Sequence, residues 1–155
     1  MNSIEKNLKQ QDIILPTPVP PVANYVPFVI TGNLLSISGQ IPVDSDGNFP
    51  YIGKVGVEVS EEDAVKAARL CAINIISQAK SACEGDLERI VRIVKLGAFV
   101  NCKDSFAGQP AIVNGASDLM VAIFGDAGKH SRSAVGTNAL PLNVPVEIDA
   151  LIEIS

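Results

Sequence analysis

Arg132 stands in the run HSRSAV (130–135), at the head of a strand-like stretch whose neighbours are small or apolar. A guanidinium binds a carboxylate through two parallel hydrogen bonds, and from the residues alone the commoner partner is a Glu or Asp across a subunit interface. Other residues able to do chemistry are few. His130 is the single histidine, which excludes triads built on histidine, and no Cys/His/Asp spacing suits a metal. Cys71, Cys83 and Cys102 are odd in number and lie in apolar periodic segments, as reduced core thiols do, with Cys102 the one open to partial exposure. Residues 125–131, GDAGKHS, lack the first glycine of a phosphate loop and follow no strand, so they do not argue for nucleotide binding. Neither a metal nor an organic cofactor is expected.

The elements that must position these residues follow from pattern. Five of the ten prolines lie in 14–27, which forces extended backbone. Residues 28–43 read as a hairpin turning at Gly32-Asn33, and 44–56 as a loop with a turn at Asp46-Gly47. Ser60 followed by Glu61, Glu62 and Asp63 starts a helix expected to run to about Cys83, closed by Gly85, with Ala64, Ala68, Cys71, Ala72, Ile75 and Ala79 on its buried stripe. A strand over 87–102 and a helix from Pro110 to Phe124, ended by Gly125, come next. The last strand, 144–155, alternates strictly: Val144, Val146, Ile148, Ala150, Ile152 and Ile154 on one face, Glu147, Asp149, Leu151 and Glu153 on the other. The order strand, strand, helix, strand, helix, strand predicts an α+β fold, a mainly antiparallel sheet with two helices on one face. Leu35, Leu96 and Leu151 are the candidates for an apolar lining of the uncovered face, which predicts a closed homo-oligomer with small-molecule sites between subunits.

A chain of 155 residues, 47% of them apolar, is bounded to one domain over 1–155, of which 1–20 form an N-terminal arm. The formal charge of −5, without a basic cluster, argues against nucleic acid as the main partner. No window is apolar enough to span a membrane, and Glu5 and Asp12 are unlike a signal or transit peptide, so a soluble cytoplasmic protein is expected.

The blocks GNLLSISGQIPVDSDGNFP (32–50), FVNCKDSF (99–106), VNGA (113–116) and RSAVGTNALPLNVPVEIDALIEI (132–154) together resemble the RidA/YjgF family of reactive imine deaminases. The resemblance implies a chorismate-mutase-like subunit in a homotrimer with three sites between subunits. It also implies hydrolysis of 2-imino acids and their enamine tautomers, such as 2-aminoacrylate, to 2-keto acids and ammonia. On that footing Arg132 binds the substrate carboxylate and Glu147 orients and deprotonates the water. By the same resemblance Tyr25 covers the pocket mouth, Ser38 and Gly39 line it, and Asn114 contributes from the second helix. His130 matches no family role and reads as a loop residue.

The chain departs from the family pattern in that Ala134 stands where a cysteine is common. AGQPAIV (107–113) is longer than usual, LNVP replaces a charged loop after Leu140-Pro141, and the arm precedes the first matching strand, where it could add an edge strand or pack on a neighbour. The alternative to a deaminase is a non-catalytic trimer that binds or senses keto acids through Arg132. A purely structural protein, or an RNA-cleaving one lacking a catalytic histidine pair, fits the residues less well.

Overall fold

The computed structural model describes residues 1–18, 20–21 and 23–155. Its elements are α1 (Ser3–Gln10), β1 (Phe28–Thr31), β2 (Leu34–Gln40), α2 (Glu61–Ala82), β3 (Ile90–Asn101), α3 (Gln109–Phe124), β4 (Ser131–Thr137) and β5 (Val146–Ile154). The sheet order is β1-β2-β5-β3-β4, antiparallel throughout except that β4 runs parallel to β3. A mainly antiparallel α+β fold is therefore correct.

Local chemistry accounts for the boundaries. The Ser60 hydroxyl accepts the Asp63 N–H at 3.1 Å to open α2, and Gly85, at φ +93°, turns the chain out after it with its N–H on the Lys80 carbonyl at 2.8 Å. Pro110 sits in the first turn of α3, where its missing N–H costs nothing. β5 alternates as its sequence does, with Val146, Ile148, Ala150, Ile152 and Ile154 buried. α2 packs over β2 and β5, and α3 against β3 and β4, so both helices cover the face that carries the buried row.

Four expectations change. Leu35 and Leu96 do not line the open face: both are fully buried, because they pair with Ile152 and Ala150, members of the helix-facing row of β5. Leu151 does lie on the open side, together with Val29, Phe99 and Val135 and the charged Lys95, Glu147 and Asp149. Residues 131–137, strand-like in sequence but absent from the element order because SRSAVGT lacks apolar alternation, form a fifth strand. The arm begins as a helix rather than an edge strand. Asn2 and Glu5 close a capping box, and Ile4 and Leu8 enter the chain's own core while Asn7 donates to the Ile123 carbonyl at 2.8 Å. All three cysteines are buried, Cys102 included. Among the described residues no helix is long and apolar enough to cross a membrane.

Candidate functional site

The residues expected to do chemistry fall into two groups on opposite sides of the sheet. Arg132 pairs with Leu96 in the β3–β4 register and so projects toward the helices. Its Nη1 donates to Asn114 Oδ1 at 2.9 Å and to Ser117 Oγ at 3.0 Å, and its Nη2 donates to the Pro110 carbonyl at 3.0 Å. Positions 110, 114 and 117 recur at helical spacing, so one side of α3 offers all three acceptors to the neighbouring edge strand. Each acceptor is neutral, and among the described residues Arg132 forms no ion pair. Of the five N–H groups of a guanidinium, three are used and two make no hydrogen bond to a described residue. Ala134 follows in the same row, pairing with Ala98.

The second group surrounds Glu147. Between Ile37 and Gln40 the β2–β5 pairing gains one residue on β2, so Ser38-Gly39 is a bulge. Ser38 is tied to the preceding segment, its hydroxyl donating to the Val26 carbonyl at 2.8 Å and its N–H to the Pro27 carbonyl at 3.0 Å. Gly39 lies directly against Glu147: a Cβ at position 39 would stand 2.9 Å from the Glu147 Cδ. Together with Tyr25, Pro20 and Leu142 these residues line a mostly apolar cavity of about 170 Å³. Tyr25 is half exposed at its mouth.

A strained loop forms the opposite lip. Leu142 and Asn143 both hold left-handed backbone, φ +57° and +56°, a conformation that costs a non-glycine residue about 1–2 kcal/mol. Buried Asn101 secures it, donating to the Val144 carbonyl at 3.2 Å and to Asn143 Oδ1 at 3.3 Å. Its own Oδ1 accepts from Lys54 Nζ at 2.8 Å, and Lys54 reaches the Asn138 carbonyl as well. The Gly53 N–H closes on the Asn143 carbonyl at 2.7 Å.

Burial, and then repulsion from Asp149, raise the Glu147 carboxyl above its ordinary value. Asp149 is raised too, by burial, against the pull of the Gly97 N–H and of Lys95. The Glu147 side chain makes no hydrogen bond to any described residue, and it lines the cavity. The structure thus brings Tyr25, Ser38, Gly39 and Glu147 together, and separately Arg132, Asn114 and Ala134, without joining the two groups in one chain. Ser117 and His130 were missed as members of the Arg132 group. The signal was there in the spacing, since Ser117 follows Asn114 by three residues on a helix. Among the described residues no cluster of His, Cys, Asp or Glu could hold a metal ion.

Residues 5–153 match the family described as "YjgF/chorismate_mutase-like, putative endoribonuclease". Protein TCP17 of Trypanosoma cruzi is 41% identical over 153 residues, covering 98% of this chain and 94% of its own length. The crystal structure of Atu1372 from Agrobacterium tumefaciens, a protein of unknown function, superposes with a TM-score of 0.91 at 46% identity, covering 99% of this chain and 94% of that one. A Shewanella oneidensis structure described as a "putative endoribonuclease" gives a TM-score of 0.94 at 35% identity, covering 99% of this chain and all (100%) of the other. By sequence match over nearly its whole length and by fold, the chain belongs to the YjgF/RidA, chorismate-mutase-like family.

Proposed function

We propose that the protein is a cofactor-independent deaminase that hydrolyses small 2-imino acids to 2-keto acids and ammonia, in a homotrimer whose sites lie between subunits. The observation that carries this reading is the unmatched pair, among the described residues, of a guanidinium with no anionic partner on one face and a carboxylate without a hydrogen bond in an apolar cavity on the other. A neighbouring copy supplies the missing half of each.

In this reading two free N–H groups of Arg132 bind the substrate carboxylate in a fork, and Asn114 and Ser117 hold the guanidinium in plane. Water adds to C2 of the protonated imine as Glu147 takes its proton, and Glu147 then passes that proton to the nitrogen of the tetrahedral carbinolamine. The C–N bond breaks as the carbinolamine hydroxyl gives its proton to the Glu147 carboxylate, forming the ketone, and that proton leaves with ammonia as ammonium. A carboxyl raised toward neutrality by burial suits both transfers. Imines hydrolyse unaided in water, so about 10³-fold acceleration, about 4 kcal/mol, is a sufficient task for one orienting arginine and one base.

The test is a coupled assay in which a serine-consuming PLP enzyme generates 2-aminoacrylate and keto-acid formation is followed. The parent should accelerate it, and Arg132→Ala and Glu147→Gln should not. A folded parent that binds 2-oxobutanoate yet accelerates no imine would point instead to a metabolite-binding trimer.

A further inference from the structure

The sole histidine lies against the Arg132 group. His130 Nδ1 is 2.6 Å from the Gly128 carbonyl oxygen, and its Nε2 is 2.8 Å from Ser117 Oγ, the same atom that accepts from Arg132 Nη1 at 3.0 Å. A carbonyl can only accept, so Nδ1 carries a proton, and in the neutral ring Nε2 then presents its lone pair. The Ser117 hydroxyl proton then points to Nε2, and the oxygen's lone pairs are left for the guanidinium.

The fold fixes the far end of this chain of bonds. Gly128 is buried against the last turns of α3, where a Cβ would meet the Met120 carbonyl oxygen at 2.1 Å. No other residue fits there, and the carbonyl that selects the histidine tautomer is therefore held in place by packing. Ser117 needs that selection. In mid-helix a serine hydroxyl otherwise turns to the carbonyl four residues back, where its proton and lone pairs are no longer aimed by a partner.

We propose that Ser117 and His130 are positioning residues: a Gly128–His130–Ser117 relay makes the Ser117 oxygen a dedicated acceptor and so holds the Arg132 fork at the angle at which it receives a carboxylate. The relay rests on the reading of Arg132 as the carboxylate anchor. It concerns binding, so its loss should raise KM and the Kd of an unreactive keto acid while leaving kcat within a few-fold.

Two measurements on the full-length protein test it. Because the chain has one histidine, a long-range proton–nitrogen NMR spectrum shows a single imidazole, expected to be the Nδ1-protonated tautomer. Titration with 2-oxobutanoate should give a Kd about tenfold weaker for Ser117→Ala and for His130→Phe, the loss expected for one hydrogen bond to a charged group. Ser117→Thr, which keeps the hydroxyl, should restore it. The Nε2-protonated tautomer, or parental affinity in Ser117→Ala, overturns the relay. Parallel titration of Arg132→Ala separates the two readings. Lost binding there with parental binding in Ser117→Ala removes the relay alone, whereas parental binding in Arg132→Ala removes the carboxylate anchor and the relay with it.

Discussion

Arg132 and Glu147 project from opposite faces of the same sheet. Arg132 shares a row with buried Leu96 and bonds to α3, while Glu147 alternates with buried Val146 and Ile148 and faces away from the helices. Within one chain the sheet lies between the fork and the carboxylate. The proposed reaction, which uses both, draws them from two copies.

Subunit mixing tests this directly. Arg132→Ala and Glu147→Gln should each be inactive alone. Co-refolded in equal amounts, they should regain about a quarter of parental activity, because random pairing of protomers places an intact Arg132 edge against an intact Glu147 pocket in that share of sites. A site formed within one chain would show no recovery.

Gly39→Ala should separate activity from folding. The added methyl would stand 2.9 Å from the Glu147 Cδ, so the carboxylate must move, while the half-exposed surroundings let the backbone stay. A displaced base of this kind should lower kcat about 10²-fold, with a melting temperature close to that of the parent. A large fall in melting temperature would show that Gly39 serves the bulge rather than the site.

The raised carboxyls have a stability consequence of definite sign. In the folded protein Glu147 and Asp149 hold protons more tightly than in the unfolded chain, so stability falls as pH rises from their ordinary values through their raised ones. Glu147→Gln and Asp149→Asn remove that penalty. Each should melt above the parent at about pH 8 and lose the advantage by about pH 3, below the ordinary carboxylate range. An advantage that persists unchanged in acid would assign the effect to packing instead of charge.

At Gly115, α3 lies directly against the α2 backbone. A Cβ there would lie 2.1 Å from the Val65 carbonyl oxygen, a backbone atom that cannot turn aside. Gly115→Ala should therefore cost about 1–3 kcal/mol, read by chemical denaturation. Because Asn114 and Ser117 flank it, binding at Arg132 should weaken along with stability.

Much of the fold was legible because its cues are local. Ser60 with three acids, Gly85 after the helix, Pro110 and Gly125 around α3 and the strict alternation of 146–154 each act within a few residues. The Asn2–Glu5 capping box that opens α1 is equally local, but the prolines that follow it mask the signal. SRSAVGT is strand-like but lacks alternation, and its place in the sheet is set by the parallel partner β3 and by the acceptors α3 supplies to Arg132.

Sequence alone thus determined the elements, the candidate residues and the family resemblance, since those depend on residue type and near-neighbour spacing. Tertiary structure alone decided which residues meet. A bulge at Ser38-Gly39 and the register of β5 set which side each residue faces, and a shift of one residue exchanges the faces. That put Leu35 and Leu96 in the core, parted Arg132 from Glu147, and brought His130 to Ser117 across 13 residues of chain.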